Sequence, residues 1–310
     1  MAYDNLVSLT PHIHLILGPT NIGVITHHTK IYIIDSGGND RDGEHILSCL
    51  QEHFPDKKLF AIINTHSNAD HSGGNAWLKE KTDCEIWATR GERAFIENPI
   101  LEPALFWGAF PFTEIRKFYF EGKQSLVTRL LDSEENIELT KQLTLQCIPL
   151  PGHFINMIGI QVIDHNHDSI CTFLGDGIFG LQMLDKFPIP YTFDVIQFKN
   201  TLDFISTIDS DYYVPSHGAM VVSRAEIGRL VQVNKKIIGK VENVLLQILE
   251  KPLSLEKILD KVAEKYNFNY SYSQYVLISS TIKSFLSSLY TRKLIHWFFK
   301  NNTMFLEIIT

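Results

Sequence analysis

A run of ligand-type side chains at the end of a buried strand constrains this sequence more than any other feature. Leu59-Phe-Ala-Ile-Ile63 is a continuous apolar stretch, the pattern of a strand covered on both faces. It delivers the chain into Thr65-His66-Ser-Asn68-Ala-Asp70-His71. In an extended segment residues i, i+2 and i+4 face the same way, which lets His66, Asn68 and Asp70 converge. His71 points elsewhere unless the chain turns there, so Asp70 and His71 are also placed to serve a second position beside the first. Strand ends on a rigid sheet are natural places to hold ligands.

Three further candidates each sit beside a glycine, in Pro151-Gly-His153, Gly175-Asp176-Gly177 and Ser216-His217-Gly218. They follow His71 at intervals of 82, 23 and 41 residues, and each ends an expected strand. Small neighbours allow a loop to approach an ion closely. Four imidazoles and two carboxylates suit zinc, one ion or two, with manganese or iron as alternatives. The chain has 13 histidines. His27, His28, His165 and His167 fall in expected turns and read as solvated. His12, His14, His45, His53 and His296 take no role.

Strands followed by helices, then strands and helices again, imply layered α/β architecture. Short strands are expected at 12–17, 21–26 and 31–35, and a helix from Gly43 to His53, stopped by Pro55. The pattern continues with helices near 75–80 and 90–97 around a strand at 85–88. The stretch from Leu101 to Thr140 is less regular. Strands at 143–150, 158–163 and 169–174 precede a helix at 194–208 and a strand at 212–214. One long helix spans Arg224 to Glu250, broken by Pro252. Ser254 caps another, to Tyr266, and a third runs from Ser273 to Tyr290. Two strands around Lys300-Asn-Asn302 form a hairpin. Helix, helix, hairpin is the order of a winged helix. The expected organisation is 1–222 as catalytic domain, 223–250 as connecting helix and 251–310 as a small winged-helix-like domain.

At 310 residues and 45% apolar content the chain can bury a sizeable core, which excludes whole-chain disorder. No segment nears the ~18 unbroken apolar residues of a membrane helix. Met1-Ala-Tyr-Asp-Asn5 has neither the positive charge nor the apolar run of a signal peptide. Cys49, Cys84, Cys147 and Cys171 form no Cys-x-x-Cys pair, which suits a reducing compartment. A cytoplasmic protein without membrane partners is expected. Eight basic against four acidic residues from Lys251 onward give that segment +4, while the preceding 250 carry −11. This is weak support for a polyanion partner.

The spaced histidines and aspartates make the chain resemble the metallo-β-lactamase-fold hydrolases over roughly Leu9 to Ala219. Gly18-Pro-Thr-Asn-Ile-Gly-Val24 and Ile34-Asp35-Ser-Gly37 add to the likeness. The resemblance implies a four-layer αββα sandwich with one or two metals between the sheets. It implies one metal position formed by His66, Asn68 and His153, a second formed by Asp70, His71 and His217, and Asp176 bridging them. It departs from the family's pattern at Asn68, which stands where the family has a histidine. An amide oxygen is a weaker zinc donor than imidazole. Three readings follow: Asn68 binds weakly, the first position stays empty, or activity is reduced or redirected.

A metal-bound water has its pKa lowered toward ~7. Asp70 is placed to orient such a nucleophile and carry its proton to the leaving group. Asp35 reads as a brace for the ligand loop. The leading expectation is hydrolysis of a thioester or other ester-like bond in a small molecule, of the hydroxyacylglutathione hydrolase type. Phe179 takes a position where many acyl-lactone hydrolases of this superfamily carry tyrosine, which counts against a lactonase. The alternatives are a nucleic-acid phosphodiesterase docked by Lys283, Arg292, Lys293 and Lys300, which is less favoured, and a metal-binding regulator. Seven aromatics between Phe106 and Phe120 read as a lid, a homodimer contact or core packing.

Overall fold

Strands that bury both faces need covering layers, and this chain supplies two sheets that cover each other and helices that cover the sheets. A computed structural model describes residues 5–117, 119–218 and 220–309. The first half runs β1 (Asn5–Ser8), β2 (Ile13–Leu17), β3 (Ile22–His27), β4 (Lys30–Ile34), α1 (Asp40–His53), β5 (Lys58–Ile63), α2 (Ala69–Ser72), α3 (Asn75–Thr82), β6 (Glu85–Thr89), α4 (Arg90–Glu97), α5 (Leu101–Trp107) and β7 (Arg129–Leu131). The second half runs β8 (Asn136–Thr140), β9 (Leu143–Pro149), β10 (Ile158–Asp164), β11 (Ser169–Gly175), α6 (Leu181–Lys186), α7 (Val195–Ile205), β12 (Tyr212–Pro215) and β13 (Val222–Ser223). Then come α8 (Arg224–Ile248), α9 (Leu255–Tyr266), α10 (Tyr272–Thr291), β14 (Ile295–Lys300) and β15 (Thr303–Ile308).

Strands β1 to β7 form one sheet in chain order, antiparallel through β4 and parallel from β4 to β7. The other sheet has the order β13-β12-β11-β10-β9-β8, with β11 and β12 parallel. Alternate residues face inward, so Ile13 and Leu15 of β2 meet Leu143 and Leu145 of β9 and Ile158, Ile160 and Val162 of β10 between the sheets. Ile46 and Leu50 of α1 and Leu78 of α3 cover the first sheet's outer face. Phe198 and Leu202 of α7 and Leu230 and Val231 of α8 cover the second. The result is the expected αββα order.

Helix α1 starts three residues earlier than expected, because the Asn39 side chain accepts from the Arg41 and Asp42 amides and caps it there. The stretch expected to be irregular contains α5, β7 and β8. These elements are short, and Pro103 interrupts the helical signal of α5 while still fitting its first turn. Phe106 and Phe120 pack with Ile115 and Val276, whereas Phe110 and Phe112 are exposed. Phe118 lies outside the described residues.

One apolar cluster runs from Ile148 and Leu150 through Phe198 and Val241 to Phe285, Ile295 and Leu306. Leu253 and Leu306 exchange backbone hydrogen bonds. Apolar packing is therefore continuous across the expected boundary at Lys251. Among the described residues no helix is long and apolar enough to cross a membrane. Cys84, Cys147 and Cys171 are free and buried, and Cys49 is buried too.

Candidate metal centre

The parallel strands β4 and β5 end at Asp35 and at the His66 loop. In the facing sheet β9, β11 and β12 run in one direction, ending just before His153, at Asp176 and before His217. The site thus sits beyond the carboxyl ends of strands from both sheets, where loops from separate elements meet. The chain turns into α2 at Ala69. That turn corrects the extended reading of 66–70. Asp70 parts from His66 and Asn68, and its Oδ2 lies 3.3 Å from His217 Nε2.

Six side chains form two adjacent groups, His66 with His153 and Asp176, and Asp70 with His71 and His217. Within each group one candidate ligand atom per residue lies within 4.8 Å of the others. Asp176 spans both: Oδ2 is 3.4 Å from His153 Nε2, and Oδ1 is 3.6 Å from the Nε2 atoms of His71 and His217. Asn68 joins the first group, with Oδ1 3.1 Å from His153 Nε2.

The outward nitrogens show how the imidazoles are set. His71 Nδ1 meets Asp35 Oδ2 at 2.8 Å, His153 Nδ1 meets the Tyr191 carbonyl at 3.1 Å, and His217 Nδ1 meets the Pro19 carbonyl at 2.7 Å. These partners only accept, so each Nδ1 carries the proton. His66 Nδ1 donates to Thr65 Oγ1 at 3.0 Å, and that hydroxyl donates to Asp35 Oδ2 at 2.9 Å. All four Nε2 lone pairs are then turned inward. His66 Nε2 and Asp176 Oδ1 are buried without a hydrogen-bond partner. The Nε2 atoms of His71 and His217 lie only 3.2 Å apart, close enough to share one proton or to converge on one cation. A divalent transition ion fits this donor set.

Electrostatics divide the two groups: His66 and His153 favour the neutral form, while at His71 and His217 burial is outweighed by neighbouring carboxylates, which raise them. Burial, with His71 and His153 adding to it, holds the His66 imidazole well below its ordinary range. Burial also outweighs the Asp176 carboxylate at His153, which is lowered. Burial opposes charge on His217 too, but Asp176 and Asp70 outweigh it and lift this imidazole to about 10. At Asp70, burial is outweighed by His71 and His217, which keep the carboxyl well below its usual range.

Two glycines shape the loops. Gly152 has φ +123°, and a Cβ there would fall 2.2 Å from the Phe198 amide nitrogen. Gly175 has φ +54°, and its Cβ would press on Thr65. Asp35 also has positive φ, at +65°, and is held by the Thr65 amide and hydroxyl and by His71. It acts as the expected brace.

Sequence reasoning missed Glu92 and Glu102. Glu92 accepts from the amide and hydroxyl of Ser67 and the amide of Asn156, tying the His66 loop to the His153 loop. Glu102 accepts from Asn68 Nδ2 at 2.7 Å. Burial pushes both carboxyls up, Glu102 furthest. The available signal was spacing: Glu92 and Ile96, and Glu102 and Phe106, each share a buried face four residues apart.

The sandwich and its paired ligand groups define a metal-binding hydrolase class. Residues 15–217 match the metallo-beta-lactamase superfamily, and the chain belongs to that superfamily. It is 27% identical over 147 residues to the hydroxyacylglutathione hydrolase GloC of Haemophilus influenzae, covering 47% of this chain and 60% of that relative. A beta-lactamase domain protein from Burkholderia ambifaria superposes with a TM-score of 0.73 at 14% identity, covering 99% of this chain and 96% of that one. BJP-1, a subclass B3 metallo-beta-lactamase of Bradyrhizobium japonicum, gives 0.61 at 18% identity, over 77% and 94%.

Proposed function

We propose that this hydrolase cleaves a thioester or related ester-like bond in a small molecule, using water activated by zinc. The observation that carries the reading is the inward set of four Nε2 atoms around Asp176, each imidazole held from outside through Nδ1. His66, Asn68, His153 and Asp176 would hold one ion, and Asp70, His71, His217 and Asp176 a second. When bound, the metal supplies a hydroxide near neutral pH and polarises the electrophile.

The chain's own residues do the rest. Asp70 has a side chain 48% exposed beside the deeply buried His71, so it stands between the ligands and arriving substrate. From there it orients the nucleophile and carries its proton to the leaving group. Phe179 is buried against His153 and Phe198 and brings no hydroxyl to the substrate. The partial likeness to a hydroxyacylglutathione hydrolase supports a thioester. The nucleic-acid reading loses one expected contact, since Arg292 pairs with Glu242 at 2.6 Å. The free buried thiols of Cys84, Cys147 and Cys171 support a cytoplasmic location.

The test compares zinc-loaded protein on a hydroxyacyl-glutathione thioester, an acyl-lactone and a phosphodiester. Thioester turnover lost in chelator, and lost again in Asp70→Asn, supports the reading. Turnover of the phosphodiester alone, with binding that weakens steeply as salt rises, replaces it with the nuclease. Metal uptake without turnover of any substrate replaces it with the regulator.

A further inference from the structure

Some of the histidines that the sequence reading left solvated or without a role are not scattered in space. His12 precedes β2, His27 ends β3, and His167 lies in the turn between β10 and β11. The structure brings them to one edge of the sandwich. The His12 and His167 rings are 5.5 Å apart and those of His12 and His27 are 6.4 Å apart. Within the metal centre, ring pairs of a single group stand at 5.1 Å (His66 and His153) and 5.2 Å (His71 and His217). The edge pair has nearly the same separation.

Its support is also built the same way. Asp164 is fully buried, and its Oδ2 meets His167 Nδ1 at 2.9 Å. The corresponding bond in the metal centre, from His71 Nδ1 to Asp35 Oδ2, is 2.8 Å. Thr10 Oγ1 also donates to Asp164 Oδ2, and the amides of Asn166 and His167 donate to Oδ1. With the carboxylate fixed from several sides, His167 keeps its proton on Nδ1 and presents Nε2 outward. His165 does not take part, since its ring turns to Thr144.

The edge is separate from the metal centre. Ile158, at one end of β10, pairs with Pro149 just before the His153 loop, while Asp164 at the other end pairs with Ser169. Six residues of strand place the two ends about 20 Å apart. We propose that His12 and His167, oriented by Asp164 and with His27 in reach, form a second transition-metal site. Water completes the shell of a borderline divalent ion such as Zn²⁺ or Ni²⁺. Because His12 leads into a strand of the first sheet and His167 joins two strands of the second, an ion here also ties the sheets together at the edge away from the active centre.

The test is equilibrium dialysis of untagged full-length protein against Zn²⁺, with ions counted per chain, together with retention on a Ni²⁺ resin. Wild type should carry one ion more than His12→Gln or His167→Gln, and should elute later than either. The metal centre is intact in every variant, so the difference reports the edge alone. His12→Gln leaves the bond between Asp164 and His167 untouched and so guards against misfolding. Equal ion counts and equal retention overturn the site. So does a loss that follows only His27→Gln with His28→Gln and ignores His12.

Discussion

Asn68 Nδ2 donates to Glu102 Oε1 at 2.7 Å, and that bond decides which end of the amide faces the metal centre. Reversed, the amide would set its oxygen against the carboxylate and its protons against His153. Held as it is, Oδ1 joins His66 and His153 as a neutral oxygen donor. We predict that Glu102→Leu weakens the ion held by His66, Asn68 and His153 at least ~10-fold, in the range of other changes behind a ligand. Asn68→His should raise occupancy, and should do so in the Glu102→Leu background as well, because imidazole needs no amide orientation. Competition with a chromophoric chelator reads both constants. Unchanged affinity in Glu102→Leu would mean that Asn68 is not held for the metal by this bond.

Asp35 serves two imidazoles, His71 directly and His66 through the Thr65 hydroxyl. Asparagine offers one acceptor where three donors converge. Asp35→Asn is therefore predicted to lower metal affinity ~10–100-fold and to cost about 1–3 kcal/mol of stability in metal-free protein. Thr65→Val breaks only the relay to His66 and should weaken one ion of two. Equal losses of both ions in Thr65→Val would contradict the relay.

His14 supplies a pH dependence away from the metal centre. Burial, reinforced by neighbouring His12, lowers its imidazole to about 4, and Ser8 Oγ bonds its Nδ1 at 2.8 Å. Between pH 6.5 and about 4 the unfolded chain holds a proton here that the folded chain lacks. Stability is then complete above 6.5 and falls as pH drops, by up to ~1.4 kcal/mol per unit. In chelator-treated protein, urea midpoints at pH 7 and pH 5 should differ less for His14→Gln than for wild type. Equal differences would remove His14 from the acid response.

The ligand residues were legible because metal chemistry admits few side-chain types, and glycine-flanked strand ends mark where they must stand. Their division into two groups was implied by the resemblance, whereas periodicity left Asp70 between them, since the helical turn at Ala69 breaks the alternation that aligned it with His66. The braces divided in the same way. Asp35 stood at the end of an apolar strand and could be read. Glu92 lies on a short helix rich in charge and Glu102 on a short apolar one; each reads as a surface position unless its spacing to Ile96 or Phe106 is weighed, and tertiary packing shows both buried. His27 and His167 were read as turn residues and His12 as the start of a strand, but their meeting depends on how β2, β3 and β10 stack across two sheets.

The tail gives the last prediction. Phe285 of α10 is fully buried in the cluster that also contains Leu150 beside the His153 loop, Phe198 of α7 and Leu306 of β15. A segment that shares one core with the sheet cannot lose a large ring without loosening the sheet's outer cover. We predict that Phe285→Ala costs ~3–5 kcal/mol and that the protein still unfolds in one transition. Urea unfolding followed by far-ultraviolet circular dichroism should coincide with loss of bound metal, because α7 also closes over Gly152 beside His153. Two separated transitions, with metal retained through the first, would show that 251–310 folds as its own unit and that the shared cluster is a docking contact.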